Sequence, residues 1–179
     1  CNNLLVISHF IHKHIRKNFV LAQKRIKACF TIELYKKEGN MGSIRLVCPV
    51  DVLFSQSSIK GEFKDGRSFE DTLEDMLNDD LTPDDLPPIK VILSCGSYWA
   101  VDGNRRLYLY QILHSYGHID KIKVKVCTNY NLHSLRRKLT TKNGGESIKV
   151  RGDPLMEWRL RMICLDLNRE RVVLDDKWY

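Results

Sequence analysis

The sequence predicts an α+β fold, in which helices flank one compact mixed sheet. Short β-branched runs, such as Ile44–Val47 and Ile122–Val126, alternate with segments whose apolar residues recur at helical spacing. Glycine, proline and aspartate separate these segments as turns. The 179 residues, of which 43% are hydrophobic, suffice for one domain with extensions but not for two full domains. We therefore predict a domain over residues 43–140, with basic extensions over residues 1–42 and 141–179.

The first half of the predicted domain contains one strand and one helix. Ile44–Val47 is short, apolar and β-branched at its start, as strands are. Residues 55–59 and 64–67 are polar and read as turns. Ser68 then stands where a helix N-cap is expected, and the helix runs over Phe69–Leu77 with Asp71 at the position of a reciprocal cap. Its predicted buried stripe consists of Phe69, Leu73, Met76 and Leu77.

The second half predicts a hairpin, a helix and a further strand. The apolar residues 89–93 and 98–101 flank Cys95-Gly96-Ser97, which is typical of a hairpin. A helix follows over residues 105–115 and stops at Gly117. Ile122–Val126 alternates as a half-buried strand does. Two more helices are predicted, over residues 131–139 and 155–165.

Charge and cysteine usage limit the functional classes. The net charge of +7 divides into +6 for residues 1–40, −6 for residues 41–120 and +7 for the remainder, so the acidic centre gives only weak evidence for nucleic acid. Residues 4–38 combine basic residues with apolar positions at helical spacing, either as an amphipathic helix or as a dispensable extension. Six isolated cysteines predict reduced thiols and an intracellular, cytoplasmic or nuclear protein. We expect neither a metal site nor a transmembrane segment.

The most informative run is YWAVDGNRRL, residues 98–107, where a strand ends in a turn and a helix begins with Arg105 and Arg106. A helix start leaves backbone N–H groups unpaired and carries partial positive charge, so it attracts anions. Two guanidinium groups add bidentate donors for phosphate or carboxylate. We expect both arginines to face one solvent-open hollow that binds an anion. The alternative is that Asp102 caps the helix and that an arginine pairs with an acid such as Asp65.

Three motifs in order resemble the ParB/sulfiredoxin superfamily. They are RSFEDT at residues 67–72, DLPPIKV at residues 85–91 and DGNRRL at residues 102–107. The resemblance implies a helix, then a strand that begins Pro-Pro-Ile, then a box that opens the next helix and receives the phosphates of a nucleotide. The ligand it implies is ATP or CTP with magnesium. Residues that the resemblance places at the phosphate are Ser68, Thr72, Gly103, Asn104, Arg105 and Arg106.

The chain also departs from that superfamily. Asn104 stands where sulfiredoxins have their catalytic cysteine, and where partition ParB proteins have a glutamate. An amide cannot act as a thiolate nucleophile, so we do not expect sulfinic acid reductase activity. Arg105 stands in place of the sulfiredoxin histidine, and Arg106 closes the box as the superfamily arginine does. Further candidates for the same site are Asp65, Asp102, Gln56, Ser57 and Arg151.

Two other functions remain open from the sequence. The missing cysteine and glutamate fit a non-catalytic interaction module that has kept the fold and binds a protein. The basic ends fit a ParB-like nuclease or nucleic-acid binder, in which Asp65 and Asp102 share one ion. We prefer a domain that binds a phosphate group of a nucleotide at the DGNRR turn, and we leave open whether it catalyses a reaction.

Overall fold

The computed structural model describes residues 42–128, 130 and 137–175, and for residues 167–175 it describes the backbone alone. Within these residues the chain has the predicted α+β fold. The strands are β1 (Ile44–Val47), β2 (Val52–Phe54), β3 (Ser58–Lys60), β4 (Ile89–Ser94), β5 (Ser97–Asp102), β6 (Ile122–Val126) and β7 (Lys149–Arg151). The helices are α1 (Phe69–Leu77), α2 (Asn104–Ser115) and α3 (Met156–Asp175), and a 3-10 turn covers Pro49–Asp51.

Five strands form a mixed sheet in the order β1-β6-β4-β5-β2. The β1–β6 and β4–β5 pairs are antiparallel, whereas the β4–β6 and β2–β5 pairs are parallel. The hairpin between β4 and β5 turns through Cys95 and Gly96, which both have positive φ (51° and 77°), as a two-residue hairpin loop requires. β5 therefore runs from the turn directly to Gly103 and sets the position at which α2 begins.

Both faces of this sheet carry buried apolar side chains. The main core includes Val91 and Ala100 from the central strands, together with Leu73 of α1 and Leu109 of α2. A smaller cluster on the other side consists of Ile92, Trp99 and Val101. Adjacent residues such as Trp99 and Ala100 fall into different clusters because side chains alternate along a strand. The sheet is therefore a rigid platform behind the helix starts.

The C-terminal segment packs on this core. β3 and β7 form a separate parallel pair, so Ser58 and Ile59, which the sequence had assigned to a turn, belong to a strand. This strand escaped prediction because three residues are too few to show a period. Ile148, Met156, Leu160 and Cys164 join the main core. The predicted domain boundaries stay a prediction, but the apolar core itself continues past residue 140.

Arg159 fastens α3 to α1. Its Nε donates to Oε1 of Glu70 on α1 at 3.0 Å, and its guanidinium also pairs with Asp153 just before α3. The hydrogen bond from Arg159 holds the pKa of the Asp153 carboxyl below its usual range. One guanidinium therefore joins two acids from segments that are far apart in the sequence.

One sequence prediction is wrong for a cysteine, and others concern residues outside the described part of the chain. Cys95 is disulfide-bonded, so the expectation of reduced thiols is wrong for this cysteine. Cys48, Cys127 and Cys164 are free thiols. The helix expected within residues 4–38 lies outside the described residues, as does most of the one expected over residues 131–139. No helix in the described part of the chain has the length and apolar character needed to cross a membrane.

Candidate phosphate-binding site

Gly103 is the N-cap of α2, and the chain turns there through a left-handed conformation with φ of 89°. The left-handed conformation disfavours a side chain at this position, and an added Cβ would also clash with neighbouring atoms. A Cβ on Gly103 would lie 3.0 Å from Nη2 of Arg106 and 3.2 Å from Cγ1 of Ile89. Glycine is therefore required both for the turn and for the space that the Arg106 guanidinium occupies.

The first turn of α2 has no side-chain cap. Leu107 is the first residue whose N–H bonds within the helix, to the carbonyl oxygen of Gly103 at 2.9 Å. No side chain accepts a hydrogen bond at the N-cap, because Gly103 has none to offer. The N–H groups of the preceding residues, which include Arg105 and Arg106, find no acceptor within the described residues. The positive end of the α2 dipole is thus open to an anion.

Arg106 and Tyr110 lie one turn apart on the same face of α2. Nη1 of Arg106 and Oη of Tyr110 are both buried, and neither has a hydrogen-bond partner in the part of the chain that the structure describes. Burial raises the pKa of Tyr110 to about 12, and the nearby charges of Arg106 and Asp84 act on it in opposite directions. Two buried polar atoms that need partners therefore belong to residues on one face of α2.

The alternative reading of this turn is wrong on both points. Asp102 does not cap α2, and its carboxylate lies 3.8 Å from Nζ of Lys90. Asp65 accepts from Nε of Arg67 at 3.2 Å, and the hydrogen bonds from Arg67 hold the pKa of Asp65 below its usual range. Neither Arg105 nor Arg106 forms an ion pair with any described residue. Asp65 and Asp102 thus pair with different cations.

Asn104 points into the protein, away from a ligand at the helix start. Its side chain is 6% exposed. Oδ1 accepts from the N–H of Ser55 at 3.2 Å, and Nδ2 donates to Oγ of Ser55 and to the carbonyl oxygen of Ala100. These bonds fasten the start of α2 to β5 and to the end of β2. Only the backbone N–H of Asn104 remains for a ligand, so the side-chain role expected from the sequence is not supported by this arrangement.

Ser68 and Thr72 bond within the first turn of α1. Oγ of Ser68 accepts from the N–H of Asp71 at 3.0 Å, as the predicted N-cap does. The hydroxyl of Thr72 donates to the carbonyl oxygen of Ser68 at 2.8 Å and is almost fully buried. The proton of Thr72 is thereby used, whereas the Ser68 hydroxyl still has a proton that it can donate. No described hydrogen bond joins these residues to Arg105 or Arg106.

The remaining candidates lie around the loop between β2 and β3. Ser57 accepts from the N–H of Lys149 at 3.2 Å and donates its own N–H to Thr140. Gln56 lies half-buried beside it, next to the serine that holds Asn104. Arg151 is exposed on β7, opposite Lys60 in the strand register. The loop therefore touches both the α2 start and the β7 segment.

Two cavities, of about 260 and 550 Å³, lie elsewhere in the molecule. Both are lined by Tyr108, Ile148 and Glu157. None of the residues predicted for the phosphate lines either of them. The hollow expected beside Arg105 and Arg106 is neither of these cavities, and both arginines are half-buried. Among the described residues, no three His, Cys, Asp or Glu side chains come together as a metal site requires.

Comparisons with known proteins give one structural likeness. No family model matches the chain, and no curated protein matches it. A similar solved structure is the C-terminally truncated chromosome-partitioning protein ParB from Caulobacter crescentus, complexed with CTP-gamma-S. The two are 24% identical with a TM-score of 0.37, and the match covers 54% of this chain and 51% of that chain. A likeness at this TM-score carries no argument about function.

Proposed function

We propose that the start of α2 binds a phosphate group, as carried by a nucleotide. The observation that carries this proposal is a pair of buried groups, Nη1 of Arg106 and Oη of Tyr110, that have no hydrogen-bond partner among the described residues. A buried donor without a partner costs about 1–3 kcal/mol, so a ligand oxygen that satisfies it gains that amount back. Both groups can donate, and phosphate offers several acceptor oxygens.

The backbone strengthens the preference for an anion over a neutral acceptor. The uncapped first turn of α2 presents N–H groups and partial positive charge at the same place as two arginines that form no ion pair with any described residue. Arg105 is half-buried and adds a second guanidinium next to Arg106. An Arg–phosphate contact is charge-assisted and stronger than a neutral hydrogen bond. A phosphate ester therefore fits better than a sugar or an amide.

The nucleotide part of the proposal comes from the three motifs that resemble the ParB/sulfiredoxin superfamily, which favour ATP or CTP with magnesium. Ser68 has a free hydroxyl proton for a second phosphate oxygen, whereas the side chain of Asn104 is fully engaged with Ser55 and Ala100. Sulfinic acid reduction is not part of this proposal, because the amide of Asn104 stands where the nucleophilic thiol is needed.

A thermal-shift experiment tests the proposal. The full chain is heated with ATP, CTP, GTP or inorganic phosphate, each with and without magnesium. A ligand at a hundred times its Kd stabilises the folded state by about 2.7 kcal/mol, which raises the Tm of a chain of this size by about 5–10 °C. Arg106→Ala should abolish the shift. Absence of a shift with every ligand contradicts the proposal.

Two variants sharpen this test. Arg45→Ala removes one positive charge from the exposed strand β1, where Nη1 of Arg45 contacts only Oη of Tyr98, at 3.5 Å, among the described residues. This control should keep the full shift. Tyr110→Phe removes only a hydroxyl that has no partner among the described residues, so the Tm without ligand should not fall, while the ligand-induced shift should shrink. A fall in the ligand-free Tm would show that this hydroxyl already has a partner.

A further inference from the structure

Cys48 and His114 form a pair that the proposed phosphate site does not use. Cys48 follows β1, and His114 lies in the last turn of α2. Sγ of Cys48 lies 3.2 Å from Nε2 of His114, and both residues are half-buried, within reach of solvent. His114 stands two and a half turns along the helix from Arg105, so the pair is separate from the phosphate site.

The position of the proton on His114 follows from its second nitrogen. Nδ1 lies 2.8 Å from the carbonyl oxygen of Ile119, which can only accept a hydrogen bond. Nδ1 must therefore carry the hydrogen, and in the neutral ring Nε2 is left with a lone pair that faces Cys48. The thiol of Cys48 is then the donor in the contact between them. A thiol, a base and a group that orients the base together form the arrangement of an activated nucleophile.

The other cysteines of the described residues lack such a base. Sγ of Cys127 contacts the carbonyl oxygen of Lys125 at 3.7 Å, and a carbonyl cannot take up a thiol proton. Cys164 is fully buried, and burial raises the pKa of its thiol to about 11. Cys95 is disulfide-bonded. These residues provide internal references for the reactivity of Cys48.

We propose that Cys48 is a nucleophilic thiol, with His114 as its general base, and that it is a modification site for small carbon electrophiles. In the reaction a bond forms between Sγ and the electrophilic carbon, and the bond from that carbon to its leaving group breaks. The leaving group departs with the electron pair, and the thiol proton passes to Nε2 of His114. The resulting imidazolium keeps its hydrogen bond from Nδ1 to Ile119.

Alkylation by iodoacetamide, without reducing agent, tests this proposal. The full chain is sampled over time and digested, and mass spectrometry follows the peptides that carry Cys48, Cys127 and Cys164. Iodide is the leaving group in each case. Cys48 should react at least about tenfold faster than Cys127. Of these two thiols, only that of Cys48 lies beside a base that can accept its proton. Cys164 should stay unlabelled while the protein is folded. Equal rates for Cys48 and Cys127 overturn the proposal.

Variants at His114 separate base catalysis from simple exposure. In His114→Asn the amide can still donate to Ile119, but no atom replaces Nε2. The rate at Cys48 should fall to that of Cys127, while the rate at Cys127 stays the same. Labelling of Cys164 would reveal a loss of fold, in which case His114→Gln, which places an amide near Cys48, is judged by the same criterion. An unchanged Cys48 rate in the folded variant overturns the role of His114.

Discussion

The two helices that carry the candidate residues begin in opposite ways. At α1, the Ser68 side chain caps the N–H of Asp71 and the Thr72 hydroxyl bonds back to Ser68. At α2, Gly103 offers no cap, and Arg106 keeps a buried nitrogen without a partner among the described residues. The two motifs therefore have opposite effects, because one closes its helix start with a side chain and the other leaves it open. The open start has backbone N–H groups and a buried guanidinium nitrogen that lack partners among the described residues, so the proposed ligand belongs there.

The contrast is also present within α2, between neighbouring residues. Asn104 is fastened inward by its contacts with Ser55 and Ala100, whereas the Arg106 guanidinium lies over Gly103 and its Nη1 has no acceptor among the described residues. Asn104 fixes the position of the start of α2, and Arg106 is the residue there that we propose binds the ligand. Substitutions at these places should therefore separate stability from ligand binding.

The largest effect is expected for Asn104→Ala. The substitution leaves the N–H of Ser55 and the carbonyl of Ala100 without their buried partner, and it should lower the free energy of unfolding by about 2–4 kcal/mol. Urea unfolding measures this loss. Arg105→Ala, at the next position, has no described hydrogen bond to lose and should change stability by less than about 0.5 kcal/mol. Similar losses in the two variants would contradict the contrast.

A smaller loss is expected for Gly103→Ala. The left-handed conformation alone costs a residue with a Cβ about 1–2 kcal/mol. Gly66 has the same φ of 89°, and a Cβ added there would meet nothing within 4 Å, so Gly66→Ala measures the conformational cost by itself. Gly103→Ala should lose more than this control, because its Cβ crowds Arg106, and it should also weaken the nucleotide shift. Equal Tm losses and an unchanged shift would show that the guanidinium position is unimportant.

The smallest effect is expected for Ser68→Ala. Loss of an N-cap costs about 1 kcal/mol, and the same urea experiment detects it. The nucleotide shift should shrink less than in Arg106→Ala, since the cap of α1 is already engaged with Asp71. A complete loss of the shift in Ser68→Ala would instead mean that both helix starts hold the ligand equally.

Local signals in the sequence were sufficient for the longer elements. Phe69–Leu77 was predicted with its observed bounds because a capping serine and an apolar stripe define it, and the alternating Ile122–Val126 was predicted likewise. β2, β3 and β7 were missed, since three-residue strands have no detectable period and β3 pairs with a strand some ninety residues later.

The candidate site was predictable only in part. The DGNRR run indicated a helix start, and α2 does begin there without a side-chain cap, because Gly103 has no side chain. The inward turn of Asn104 was not predictable, since its partner Ser55 lies 49 residues away. Tyr110 was not among the predicted site residues, and it is buried. Its position four residues after Arg106 was the available signal that its hydroxyl would share a helix face with the arginine.

The packing of the C-terminal segment on the main core has a consequence for folding during synthesis of the chain. Ile148, Met156, Leu160 and Cys164 complete the main core, and Arg159 ties their helix to Glu70. In a nascent chain that has emerged only as far as β6, the residues of the five-stranded sheet and of α1 are therefore present, but an apolar face of the core is still exposed to water. Final closure of the core must wait until α3 has left the ribosome, because α3 supplies part of the apolar core.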